Sequence, residues 1–266
     1  LDFFADKKQE IALITTISYT GTGDEGLRGK TNYWFPKEYY IRYKASNNLW
    51  FYGGQMDKVY GVRFIDHTAK NREPLKLGQF DQSQGAIVHF TLPTWDIAVN
   101  AFFGNGDEQP ADKYKGYSAG GEYQLWENFK VGASAITQKN DFEKINAYAI
   151  YTRMAISKGS SLIVEGGIKD KTMLTGTDST PKTGAYAIAQ TLVNLRRGYN
   201  IVSTIEQSRD DIKESASEAT RWKMGFMIFP IPRTEIRILA ANKKTLVATG
   251  GAPDSWSLQS QLHFSF

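Results

Sequence analysis

Cysteine is absent from this 266-residue chain, which excludes a disulfide framework, thiolate metal sites and lipid attachment at an N-terminal cysteine. Long apolar runs are missing too. The most hydrophobic stretch, MGFMIFPIP, is short and interrupted by Pro230, so no transmembrane helix is encoded. Histidine is scarce, with only His67, His89 and His263, and together with the lack of thiols this argues against a transition-metal centre. Charge of one sign is not concentrated: the formal +4 comes from interspersed acidic and basic residues, which gives no nucleic-acid patch. No amphipathic helix, linker or long repeat divides the chain, and residues 1–266 are expected to form a single domain. It opens at LDFFADKKQE without a signal-peptide pattern, as expected of a mature form or of part of a longer one.

What is present suits strands and turns. Aromatic residues make up 13% of the chain, including 14 tyrosines, and there are 24 glycines. The closing stretch WSLQSQLHFSF shows the pattern most clearly. Trp256, Leu258, Leu262, Phe264 and Phe266 share one face with Ser260, and Ser257, Gln259, Gln261, His263 and Ser265 form the other. A side-chain period of two marks a strand with one apolar and one polar side. Similar runs recur from EIALITTISY (10–19) through KEYYIRYKA (37–45), SQGAIVHFTL (83–92) and TRWKMGFMIF (220–229), about fourteen strands in all.

The connections alternate in length. SNN, PT, EN, SKGS, LRRG and PIPR are tight turns, whereas the intervening connections are long, QKNDFE excepted. One end of the sheet therefore carries turns and the other carries loops, the asymmetry of an outer-membrane barrel with short periplasmic turns and long outer loops. With an even number of strands, both chain ends lie on the turn side and the last strand is expected to close on the first. In these features and in its terminal phenylalanine the chain resembles bacterial outer-membrane β-barrels, and in size and strand number the small monomeric fourteen-stranded porins. The resemblance implies an all-β, antiparallel up-and-down transmembrane barrel in the bacterial outer membrane. It also implies that Phe266 serves as an assembly signal read by the barrel-insertion machinery.

Parity assigns the two faces. The outward set includes Ile11, Leu13, Ile17, Tyr39, Ile41, Tyr43, Val88, Phe90, Ile97, Val99, Met224 and Phe226. Trp95, Trp126, Phe129, Tyr199 and Phe229 stand near strand ends on the turn side, and Tyr19, Phe103, Tyr117, Trp222 and Trp256 on the loop side. An apolar band between two aromatic girdles is the membrane arrangement. The opposite face places Arg42, Lys44, Glu122, Lys130, Glu165, Glu206, Arg221, Lys223 and Arg237 at mid-strand. A dry core would make each unpaired charge costly, and a water-filled lumen would not, so these residues are expected to line a pore. The strands NAYAIYTRM and AYAIAQTLV fit either register. A soluble β-sandwich alternates faces as well, but its strands average about five to six residues, and it gives no reason for the alternating loops.

Catalytic groups are sparse. His89 and His263 fall on inward faces of separate strands, and Asp66 beside His67 in the longest loop has no second acidic pair to make a catalytic set. GTGDEG (21–26) precedes no helix and reads as a flexible loop. No enzyme activity, metal or cofactor is expected. A bore of about fourteen strands lies between a filled eight-stranded barrel and a sixteen-stranded channel. It suits a passive pore for small hydrophilic solutes or ions, with a slight basic excess that favours anions weakly. The competing expectation is a structural barrel whose lumen or loops hold an unidentified protein partner. The longest connection, 57–82, carries Val59, Tyr60, Val62, Phe64, Ile65, Leu75, Leu77 and Phe80 among its charges. So apolar a segment is expected to be ordered and to fold inward, where Arg63, Asp66 and Arg72 would narrow the bore. The alternative is a tall hairpin that extends the third and fourth strands above the membrane.

Overall fold

The computed structural model describes residues 10–20, 33–62, 72–78, 81–175, 180–214, 217–245 and 254–264. Fourteen strands run through them: β1 (Ile11–Thr20), β2 (Tyr33–Lys44), β3 (Leu49–Met56), β4 (Ser83–Thr91), β5 (Trp95–Phe103), β6 (Lys115–Trp126) and β7 (Phe129–Lys139), then β8 (Glu143–Ser157), β9 (Ser160–Met173), β10 (Lys182–Arg196), β11 (Tyr199–Arg209), β12 (Glu218–Ile228), β13 (Thr234–Thr245) and β14 (Ser255–Phe264). A 3₁₀ turn, Glu73–Leu75, lies between β3 and β4.

Strand order in the sheet is the order of the chain, and each strand is antiparallel to the next. The tight turns fall where Asn, Pro, Gly and Ser predict them. At the two-residue connection 197–198, Gly198 has φ 82° and a Cβ there would stand 2.8 Å from the Phe229 carbonyl oxygen. An L side chain is strained in that left-handed conformation, so glycine is what allows so short a reversal. Register shifts occur beside the turns of β6–β7, β8–β9 and β10–β11 and within β1–β2, adding local twist where strands reverse. No ladder joins β14 to β1 among the described residues, which departs from the expected seam. The described side chains of β14 are mostly exposed on both faces, as at a sheet edge.

The faces sort as parity predicts. Ile41 is 53% exposed, Val99 51%, Ile150 72% and Leu258 75%. An apolar belt of this extent is unfavourable against water and suits hydrocarbon. Paired aromatics border it: Trp222 meets Trp256 edge-on at 5.1 Å, and Trp126 meets Phe129 at 5.3 Å. Both ambiguous registers are resolved. On β8, Ile145, Ala147, Ala149 and Tyr151 point inward, as do Tyr186, Ile188 and Gln190 on β10.

Contacts across the interior show that the sheet is curled. Tyr60 lies four residues past the end of β3, and its hydroxyl is 3.1 Å from that of Tyr186 on β10. On a flat sheet those strands would be about 34 Å apart at roughly 4.8 Å per strand, whereas four extended residues reach only about 14 Å. The curl brings them together, and the described parts of the β3–β4 connection, 57–62 and 72–78, lie against its inner face.

Candidate functional site

The inward connection is held by bonds to the wall and by bonds within itself. The Gly61 N–H donates to Ser134 Oγ of β7 at 2.8 Å, and the Val62 N–H donates to Glu165 Oε2 of β9 at 2.5 Å. Gln138 of β7 donates to the Leu75 carbonyl at 2.6 Å, while its own amide oxygen accepts from Lys58 Nζ at 3.1 Å. Lys58 Nζ also donates to the Lys76 carbonyl at 3.0 Å, tying the two limbs of the connection together. Arg72 braces it from within, donating to the carbonyl oxygens of Tyr60 at 3.2 Å and Val62 at 2.5 Å. Backbone groups of a loop enclosed in this way need partners, and the wall side chains provide them.

Apolar packing supplies the rest. Tyr60, Leu75 and Leu77 form one buried cluster with Phe102, Tyr114, Ile136, Ile145, Ala147, Ala149 and Tyr186, and Val62 packs with Tyr151 and Ile188. This explains why β8 and β10 are apolar on both sides: one face meets the membrane and the other receives the loop. Burying four such loop side chains contributes roughly 6–12 kcal/mol before the cost of ordering. The extended hairpin is not what forms, since β3 ends at Met56 and β4 begins only at Ser83.

Glu165 is the polar centre of the contact. It is 1% exposed and accepts from the Val62 N–H and from the Tyr186 hydroxyl at 2.9 Å. Each phenol has one proton, so Tyr60 donates to Tyr186 and Tyr186 to the carboxylate, a relay that leaves no hydroxyl idle. Gly61 makes the approach possible. Its φ is 58°, and a Cβ there would lie 2.4 Å from Glu165 Oε2.

Burial dominates the ionisation of the loop groups. It pushes the Lys58 ammonium down from 10.5 to about 8, with the Asp81 and Glu108 carboxylates acting in the opposite sense and the Lys76 charge adding to the fall. The Lys58 nitrogen also lies 5.0 Å from the centre of the Phe102 ring and 5.8 Å from that of Tyr114. Burial raises the Tyr60 and Tyr114 phenols well above their usual range, and Glu143, which accepts a hydrogen bond from Tyr114, raises the latter further.

The other inward residues found from sequence divide into two groups. Arg42 and Lys44 lie over the Trp50 ring, at 5.2 and 5.4 Å, and keep part of their surface accessible, as does Lys130. Glu122 pairs with Arg153, and Arg237 pairs with Glu235. Glu206 holds Arg221 at 2.5 Å; both are buried, and Lys223 is 2% exposed. Arg72 is part of the loop's own brace, while Arg63, Asp66 and Phe266 lie outside the described residues. Sequence reasoning did not single out Lys58, Gly61, Ser134, Gln138 or Tyr186. The available signal was the double-sided apolarity of β8 and β10, which marks where the loop lands. Near the turns, His89 Nε2 lies 2.8 Å from Asp96, and Tyr52 lies 3.5 Å from the other ring nitrogen. The Thr91 hydroxyl lies 3.4 Å from the same Nε2, and the group forms a cluster of polar wall side chains.

No protein-family model matches the chain, and no curated protein matches it by sequence. Solved structures do match its shape. The outer membrane channel DcaP of Acinetobacter baumannii superposes with a TM-score of 0.67 at 12% identity, covering 96% of this chain and 80% of that one. OmpT of Vibrio cholerae gives 0.68 at 9%, covering 96% and 84%. An anion-selective porin from Comamonas acidovorans gives 0.66 at 9%, covering 98% and 87%. At such identities the likeness concerns architecture, and this chain has the antiparallel up-and-down β-barrel fold of those proteins.

Proposed function

We propose that this protein is an outer-membrane channel for passive diffusion of small hydrophilic solutes, with a weak preference for anions and no catalytic role. The observation that carries this reading is the combination of an apolar outer face with a charged inner face partly covered by an inward-folded segment. Such an interior admits water and ions at its uncovered parts, and the segment narrows it. Arg42, Lys44 and Lys130 towards the turn end are partly accessible and basic, which concentrates anions locally. Arg221 and Lys223 contribute less in this reading, because Glu206 neutralises one and burial withdraws the other from the path. The long loops face outward, and Phe266 is the assembly signal. The likeness in fold to DcaP, an outer membrane channel, and to the anion-selective Comamonas porin supports this reading.

The test is electrical. Purified protein in planar bilayers should give steady single-channel steps, with a reversal potential under a KCl gradient on the anion side. Reversing Arg42 and Lys44 to glutamate should move that potential toward cations at low salt. The shift should fade near 1 M, where the Debye length falls to about 3 Å. A membrane-inserted barrel that passes no current would refute the reading.

A further inference from the structure

A depression of ≈ 1150 Å³ lies on the membrane-facing side of β5 to β9, away from the lumen. Its floor is made by Ala119 and Gly121 of β6, which stand directly opposite Ala135 and Ala133 of β7. Trp95 and Ile97 of β5 rise on one flank, and Tyr148 and Ile150 of β8 on the other. An unfilled hollow in hydrocarbon forfeits dispersion contacts along its walls, so a neighbour must fill it. Apolarity alone does not choose that neighbour, because lipid tails are as apolar as the groove. The choice rests with the polar groups above.

Four residues nearer the loop end, about 13 Å along each strand, Lys115, Lys139 and Lys144 are successive cross-strand partners on β6, β7 and β8. Parity places them on the same outward face as Ala119, Ala135 and Tyr148, and all three are exposed. Like charges directly opposite destabilise a sheet, and this row holds two such pairs. Among the described residues none of the three forms an ion pair. The neighbouring carboxylate, Asp170 of β9, stands opposite Asn146 and accepts from the Thr183 hydroxyl at 2.7 Å. Between the lysines and the groove lies a neutral polar row, in which the Thr137 hydroxyl donates to Asn146 Oδ1 at 2.7 Å. The connection between β7 and β8 at this end is only 140–142, the exception to the alternation of loops, and it leaves the lysine row uncovered.

We infer that this face of β5 to β9 binds one lipid of the outer leaflet whose headgroup carries two phosphates, with the phosphates against Lys115, Lys139 and Lys144 and an acyl chain in the depression. Cations, then neutral hydrogen-bonding groups, then an apolar groove follow one another in the order of phosphate, linkage and chain in such a lipid. Phosphates set between the ammonium groups also relieve the repulsion within the row. A second copy of this chain fits the face less well, because a twofold contact here brings two lysine rows together. The site lies on the outer surface and goes beyond the channel reading.

The full chain, refolded in lipid-free detergent, is titrated with lipid A, which carries two phosphates, and native mass spectrometry counts the lipids retained. One lipid A should stay bound per barrel. Lys139→Gln together with Lys144→Gln should weaken it about fifteenfold, since each charge pair about 5 Å apart in water accounts for about a factor of four. Ala133→Leu with Ala135→Leu, which fills the floor, should abolish retention at concentrations that saturate the parent. Both substitutions face the membrane, and heat-modifiable migration verifies that the variants are folded. Inorganic phosphate should not displace the lipid. Lipid A retention unchanged in both variants, or displaced by inorganic phosphate, would overturn the site. Barrels that retain no lipid A but pair with one another until Ala133 and Ala135 are enlarged would overturn it in favour of a second copy. None of these readouts involves conduction, so failure of the lipid site and failure of the pore reading are separate results.

Discussion

Replacing Gly61 by alanine should release the inward segment from the wall without unfolding the barrel. The added Cβ would stand 2.4 Å from Glu165 Oε2 and 2.8 Å from both the carboxyl carbon and Oε1. An ordinary contact needs about 3.4 Å or more, so the carboxylate must retreat by about 1 Å. Its 2.5 Å bond to the Val62 N–H then breaks. A hydrogen bond to a charged group contributes about 1.5–3 kcal/mol, and holding alanine in the left-handed region costs about 1–2 kcal/mol more. Together roughly 2.5–5 kcal/mol is lost, which lowers the ratio of docked to released segment by about two to four powers of ten. Single-channel recording should show it as excess open-channel noise or as steps to a larger conductance. Replacing 62–78 by a short Gly/Ser turn is the limiting case and should fix the larger conductance permanently. Heat-modifiable migration in SDS gels verifies that each variant remains a folded barrel. A folded Gly61→Ala channel with parental conductance and noise would refute the latch.

Other expectations follow from the same contacts. Docked Lys58 has its pKa lowered to about 8 from 10.5, so the docked segment binds fewer protons than the released one and docking strengthens as pH rises between those values. Open-channel noise should therefore fall from pH 7 to pH 10, and Lys58→Met should abolish the trend. Arg221→Met strands a buried carboxylate and should lower barrel stability by about 3–5 kcal/mol. The double variant Arg221→Met with Glu206→Gln should recover much of that loss in denaturant unfolding. Deleting Phe266 should reduce membrane-inserted protein while total synthesis is unchanged, as quantified by fractionation and gel shift.

Sequence alone revealed the elements whose two faces differ in chemistry. On β2, Ile41 and Tyr43 face out while Arg42 and Lys44 face in, and a period of two suffices to separate them. It failed on β8 and β10 because Tyr148 and Ile150 are apolar toward the membrane while Ala147 and Ala149 are apolar toward the segment. Hydrophobicity reports burial without saying what buries the residue. The inward course of 57–82 was legible from its apolar content, but its landing site was not. Lys58 meets Gln138 across 80 residues, and Val62 meets Glu165 across 103; no local pattern encodes such pairings. The ladder sets Arg221 directly opposite Glu206, which accounts for its neutralisation.

A sheet in which every strand borders only its neighbours in sequence can be lengthened or shortened by whole hairpins without rewiring the rest. The inward latch makes the positions unequal. Its hydrogen bonds to the wall run from the end of β3 to β7, β9 and β10, so an extra hairpin between β11 and β14 would widen the bore while the latch stayed seated. The same insertion between β4 and β7 would carry the landing strands about 10 Å further around the wall, beyond the reach of the short limb 57–62. In such a protein, growth in calibre is confined to one arc of the circumference.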